Sequence, residues 1–172
     1  HRIVKRVTGL EMPFEKLRTF CNMAGMEIAD RLRVRLESMT GLERFRECVR
    51  WSIAGNHLDF RTVGAGYAFG VDDVESMLAE KAALTLHVDQ IDAIYTILKT
   101  GPDVLFIPDN VGELAFDLVL MEELKRFGCR IRSPYRGGPI TSDAVLEDFQ
   151  LIGIDTVADE IFSAGPDTLG IS

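Results

Sequence analysis

The chain has 172 residues, 47% of them apolar, which is enough for one ordinary domain with a real core or for two small subdomains sharing one, and too apolar for disorder. Its 27 acidic residues against 19 basic ones leave a formal charge of -8, which disfavours nucleic acid or an anionic membrane as a partner. A phosphorylated ligand would need local help from a metal or from backbone N–H groups.

Residues 1 to about 8 read as the tail of a helix ended by Gly9. After Pro13, apolar residues at Phe14, Leu17, Phe20, Cys21, Met23, Ala24 and Ile28 recur at helical spacing, predicting one long helix or two abutting ones over about 13–37. Arg31, Arg33 and Arg35 are spaced by two, which spreads them around a helix, so they read as solvated surface and not as a phosphate face. A second helix is expected from about Leu42 to Ala54, with Phe45, Cys48, Val49, Trp51, Ser52 and Ile53 on its apolar side, stopping at Gly55-Asn56. His57 has no partner at ligand spacing and reads as a lone histidine. The glycines at 64, 66 and 70 lack the Lys and the strand-turn-helix setting of a phosphate loop, and they read as a connection.

Asp72 or Asp73 is placed to cap a helix through about Ala83, and Asp89 another through about Leu98, with Ile91, Ile94, Tyr95, Ile97 and Leu98 facing the core. From 103 onward the pattern changes to strand 104–108, helix about 112–127 closed by Gly128, strand 130–135, helix about 142–152 closed by Gly153, and strand about 160–163. The predicted fold is therefore α/β: a helical N-terminal subdomain, 1–101, packed on a parallel Rossmann-like βαβαβ sheet, 102–172, with helices on both faces. The apolar run Val104 to Ile107 reads as a buried strand that delivers Asp109 and Asn110 to its C-terminal edge, where ligands sit in open α/β sheets.

Loops leaving the same edge of neighbouring strands, about 4.8 Å apart, can bring Asp109, Asn110 and Asp143 around one point. Two carboxylates and an amide oxygen make a hard oxygen site suited to Mg²⁺ or Mn²⁺. Helices starting near Gly112 and Ser142 would add N–H groups facing an anion. Each piece has a plainer reading: Asp109-Asn110-Val111-Gly112 is also a good turn, and Ser142 or Asp143 could simply cap a helix.

Three cysteines, Cys21, Cys48 and Cys129, form no CxxC pair, so neither a disulfide framework nor a structural zinc site is supported and a reducing cytoplasm fits. No apolar run approaches the ~18 residues of a membrane span, and the first six residues lack the apolar core of a signal peptide. The start at His1 and the closing Gly170-Ile171-Ser172 read as those of a fragment of a longer protein.

The stretch Ile107-Pro108-Asp109-Asn110-Val111-Gly112-Glu113-Leu114-Ala115-Phe116-Asp117, paired with Arg136-Gly137-Gly138-Pro139-Ile140-Thr141-Ser142-Asp143-Ala144, closely resembles the DUF89 family of metal-dependent damage-control phosphatases, also called ARMT1-like, in its stand-alone prokaryotic branch. The likeness extends to His1-Arg2-Ile3-Val4 with Thr8-Gly9, to Ala54-Gly55-Asn56-His57-Leu58-Asp59-Phe60, and to Gly153-Ile154-Asp155. It implies a divalent metal (Mn²⁺, Co²⁺, Ni²⁺ or Mg²⁺) held by Asp109, Asn110 and Asp143, which would also be the catalytic residues, and hydrolysis of small phosphate monoesters such as sugar phosphates or damaged phosphometabolites. Asn56 and Asp59 match a motif lining the pocket, and with Glu113, Thr141 and Ser142 they are expected to contact substrate. Glu113 and Asp117 also match and share one helix face. Family members usually continue about a hundred residues beyond this end, into a segment with a phosphate-binding Lys to which nothing here corresponds.

Water and a carboxylate both stay open as the nucleophile. A non-catalytic metal- or metabolite-binding module is the alternative from another class. A Rossmann-type transferase is disfavoured, because no G-x-G-x-x-G follows a strand.

Overall fold

The computed structural model describes residues 6–7, 9, 14–58, 70–139 and 141–165. Most of the helix tail expected before Gly9, Asp59, the glycines at 64 and 66, and Ile140 lie outside the described residues. The elements are helices α1 (Glu15–Leu36), α2 (Gly41–Gly55), α3 (Val71–Ala82) and α4 (Ile91–Leu98), then β1 (Asp103–Leu105), α5 (Glu113–Arg126), β2 (Arg130–Tyr135), α6 (Leu146–Ile152), α7 (Ile154–Val157) and β3 (Glu160–Ser163). The three strands form a parallel sheet in the order β1-β2-β3, with Leu105 opposite Arg132 and Pro134 opposite Phe162. The fold is mixed α/β with helices dominating, as the alternation after residue 103 predicts.

α5 is the central element. Ten of its residues from Leu114 to Leu124 are buried, including Asp117 and Glu123, which is the signature of a helix covered nearly all round. α1 and α2 pack on it from one side and the sheet from the other, so a single hydrophobic cluster runs from Ile28 to Ile154. Its aromatic contacts are local: Trp51 lies 5.7 Å from Phe116, and Phe45, Tyr95 and Phe127 meet at 5.4 to 5.9 Å between ring centroids. Offset and edge-on aromatic pairs of this kind add a little beyond their buried area.

Several expected faces are different in the fold. On α1 the apolar Phe14, Phe20 and Met23 are exposed, and the buried side carries Arg18, Asn22 and Gly25 beside Cys21, Ala24 and Ile28. Ile53 of α2 and Ile94 and Ile97 of α4 also face outward. β1 is shorter than the predicted 104–108, and Leu105 and Ile107 are 55% and 70% exposed, so this strand is covered on one face only within the described residues. Arg31 and Arg33 of α1 have acidic partners at the surface: Arg31 pairs with Glu27, Asp72 and Glu75, and Arg33 with Asp30 and Glu122.

Helix ends follow the local chemistry. Gly128 and Gly153 take φ of 78° and 92° directly after α5 and α6, as expected for left-handed C-terminal glycines. α4 is capped by the Asp89 carboxylate on the Ile91 N–H at 3.1 Å. In α3 the capping group is Asp73, which accepts the Gly70 N–H from within the first turn. Among the described residues no helix is long and apolar enough to cross a membrane.

Candidate metal and phosphate site

The predicted helix start at Ser142 does not form. α6 begins four residues later, at Leu146, and residues 142–144 form the end of a turn and an isolated bridge instead. They pair with the segment after β1: Val111 N–H donates to Ser142 O at 2.8 Å, and Ala144 N–H to Asp109 O at 2.9 Å. This short bridge sets Asn110 directly opposite Asp143, so the backbone itself places Asp109, Asn110 and Asp143 side by side beyond the strand ends. A second bridge, Arg136 to Val145, anchors the far end of the same loop.

The side chains continue the convergence. Asn110 Nδ2 donates to Asp109 Oδ2 at 2.8 Å, and Ser142 Oγ donates to Asn110 Oδ1 at 2.7 Å. Asn56, delivered by the C-terminal end of α2, donates through Nδ2 to Glu113 Oε2 at 2.9 Å and lies 3.4 Å from Asp109 Oδ2. The structure thus brings together Asn56, Asp109, Asn110, Glu113, Ser142 and Asp143. Thr141 joins the site through its backbone, at φ 52°, and Asp59 lies outside the described residues.

Three N–H groups at or just before the helix starts are engaged within the chain. Val111 N–H and Gly112 N–H go to Ser142 O and Asn22 Oδ1, and Val145 N–H at the start of α6 goes to Asp148 Oδ2.

Acidic groups dominate the electrostatics. Burial, reinforced by the charge of Asp109, pushes the Glu113 carboxyl up to about 7. One turn further along α5, burial and then Glu113 raise Asp117 well above the carboxylate range. Burial also raises Asp143, against the opposing pull of Arg136, whose Nε lies 3.1 Å from Asp143 Oδ2. Carboxylates crowded in this way repel one another, and a bound cation is what relieves them. The donors are hard oxygens, two carboxylates and an amide, and they fit a divalent cation whose shell is completed by water and phosphate. Among the described residues no three His, Cys, Asp or Glu side chains lie close enough together to hold a metal ion by themselves.

Sequence reasoning missed the support behind these residues. Arg18, Asn22 and Asp148 are buried and hydrogen-bonded to the backs of both loops, and Ser52 Oγ donates to Asp117 Oδ1 at 2.6 Å. The available signal was Arg18, Asn22 and Gly25 at i, i+4 and i+7, a polar stripe on a helix otherwise patterned for burial. A separate surface cleft of about 530 Å³ lies between Arg33, Arg44, Glu122, Glu123 and Arg126. Arg33 and Arg44 there are already paired with Glu122 and Glu123, so the cleft lacks the convergence seen at Asp109.

A family model described as the damage-control phosphatase ARMT1-like domain matches residues 1–172. The chain belongs to this ARMT1-like family. It is 32% identical to an uncharacterized protein of Methanocaldococcus jannaschii over 173 residues, covering 99% of this chain and 55% of that protein. It is 29% identical to a protein of Archaeoglobus fulgidus named damage-control phosphatase, covering 99% of this chain and 57% of the relative. The crystal structure of a DUF89 family protein from Pyrococcus horikoshii shares the fold, with a TM-score of 0.79 at 24% identity over 98% of this chain and 55% of that one. The chain therefore spans about half the length of the curated relatives it matches. ARMT1-like membership gives the acidic strand-end cluster its context.

Proposed function

We propose that this ARMT1-like chain is the metal-holding part of a phosphatase that hydrolyses small phosphate monoesters, sugar phosphates or damaged phosphometabolites among them. The observation that carries the reading is the bridge between 109–111 and 142–144, which aligns Asp109, Asn110 and Asp143 opposite Asn56 and Glu113. Relatives named damage-control phosphatases support the same class of reaction.

Asp109, Asn110 and Asp143 would hold the divalent cation, with Mn²⁺, Co²⁺, Ni²⁺ and Mg²⁺ as candidates. When bound, such an ion neutralises phosphoryl oxygens and lowers the pKa of a water. The chain's own groups do the rest. Asn56 orients the Glu113 and Asp109 carboxylates, and Ser142 fixes Asn110 by donating to its amide oxygen. Glu113, whose carboxyl is raised by burial and by the charge of Asp109 while no cation is bound, is placed beside the ligands and is suited to accept a proton from an attacking water. Arg136 offsets the charge of Asp143, which lowers the repulsion an incoming phosphate meets. The three cysteines are buried and form no disulfide, which is consistent with a reducing cytoplasm.

The test is release of inorganic phosphate from a panel of sugar phosphates by the full-length protein with each cation, beside Asp109→Ala. The variant should lose both metal binding and turnover. Equal turnover in the variant would sink the assignment. Tight cation and metabolite binding by the wild type without turnover would favour a binding module instead.

A further inference from the structure

We propose that Arg18, Asn22 and Asp148 are positioning residues, a buried clamp that holds the two loops carrying Asp109, Asn110 and Asp143 in register from behind. Arg18 and Asn22 stand one turn apart on the same face of α1, and all three side chains are buried, at 1%, 0% and 6% exposure. The Arg18 guanidinium donates through Nη1 to Thr141 O at 2.7 Å and through Nη2 to Asp143 O at 2.9 Å, and it pairs with the Asp148 carboxylate. Asn22 spans to the other loop: its Nδ2 donates to Asp148 Oδ1 at 2.9 Å, and its Oδ1 accepts the Gly112 N–H at 2.9 Å. Asp148 closes the circuit by accepting the Val145 N–H at 3.0 Å.

The need for such a clamp follows from how little else joins the loops. They are paired through a two-bond bridge, Val111 to Ser142 and Ala144 to Asp109, and one side-chain bond, Ser142 Oγ to Asn110 Oδ1. A slip of one residue in an extended pair reverses the direction of every side chain, which would turn Asp143 away from Asp109. Arg18 grips the carbonyls on either side of Ser142, and a planar fork with fixed donor directions sets the orientation of that segment as no single ammonium can. It also holds Thr141, a β-branched residue at φ 52°, in a conformation that it would leave if released. A buried ion pair contributes little net stability over an apolar replacement, so orientation is the better account of its presence. The effect on cation binding rests on reading Asp109, Asn110 and Asp143 as ligands, whereas the effect on register does not.

The experiment compares full-length wild type with Arg18→Lys and Asn22→Ser by amide hydrogen exchange and by Mn²⁺ titration calorimetry. In both variants the Val111 and Ala144 amides should exchange about tenfold faster or more, while Cys48 and Trp51 in α2 stay within about twofold of wild type. Mn²⁺ affinity should weaken by about tenfold or more, the size expected when the support behind a metal ligand is lost. The pair Arg18→Met with Asp148→Asn leaves no unpaired buried charge, and it should fold with the wild-type far-UV spectrum and show the same local acceleration. Unchanged exchange at Val111 and Ala144, or equal acceleration throughout the protein, overturns the clamp. So does wild-type Mn²⁺ affinity in both single variants when Asp109→Ala abolishes binding. A wild type that takes up no Mn²⁺ overturns the proposed function, and the exchange rates alone then judge the register.

Discussion

Asp117 lies one helical turn beyond Glu113, wholly buried, with its Oδ2 lacking a hydrogen-bond partner among the described residues. Burial and the neighbouring Glu113 raise its carboxyl well above the ordinary value, against the Ser52 hydrogen bond, and together with Glu113 it gives the site a stability that depends on pH. For Glu113 the folded value of about 7 stands above the ordinary 4.5, so the fold favours the protonated form. The associated stability is fully present below 4.5 and is lost as pH rises through about 7. In urea unfolding of metal-stripped protein, the Glu113 titration should contribute a loss on the order of 2 kcal/mol between about pH 5 and pH 8, after allowance for the partial exposure of Glu113. Glu113→Gln removes this titration, and its unfolding free energy should fall clearly less over the same range. A variant whose loss matches the wild type would show that the pH dependence arises elsewhere.

At the scale of elements, α1 is a positioning device as well as a wall of the core. Gly25 lets it lie against the loop before α5, and a Cβ built there would sit 2.5 Å from Gly112 O. Gly112 in turn adopts φ 83°, and a Cβ there would meet Leu58 at 2.9 Å. Gly25→Ala should therefore destabilise the protein by about 1–3 kcal/mol, as overpacked sites do, readable as a shift in the denaturant midpoint. It should also weaken Mn²⁺ binding, because the displaced backbone is the one that follows Asn110. A Gly25→Ala protein with the wild-type midpoint would mean that α1 can move away from Gly112 freely. Asp148 serves two elements together, capping α6 and pairing with α1, so α6 could not start at Ser142 without abandoning the bridge to Asn110.

For the whole molecule, binding of a cation at the acidic strand-end cluster should stabilise the fold by mass action. With Mn²⁺ at about a hundred times its dissociation constant the gain is about 2.7 kcal/mol. For a protein of this size that corresponds to a rise in Tm of about 5–10 °C, reversed by a chelator and absent in Asp109→Ala. A Tm indifferent to every divalent cation would count against the donor set at the strand ends. The sheet adds a feature of the same scale: Leu105 and Ile107 are exposed beyond α5's reach, as is Phe162 on β3, in a chain that matches about half of its relatives' length.

The helices, the βαβαβ order and the meeting of Asp109, Asn110 and Asp143 were legible from local signals. Periodicity marks a helix, Gly128 and Gly153 mark its end, and an apolar run ending in Asp-Asn marks a strand edge, all within a few neighbouring residues. Which side of α1 turns inward was not legible, because hydrophobic spacing pointed to Phe14, Phe20 and Met23 while burial went to Arg18 and Asn22. The late start of α6 was hidden for the same reason. Arg18 finds its partners 123 to 130 residues away, and Asn22 finds Gly112 at a separation of 90. Spacing along a chain reports what a residue's near neighbours favour. The worth of a buried polar group depends on acceptors that only folding brings within reach, and the clamp behind the site exists only once α1 has docked on both loops.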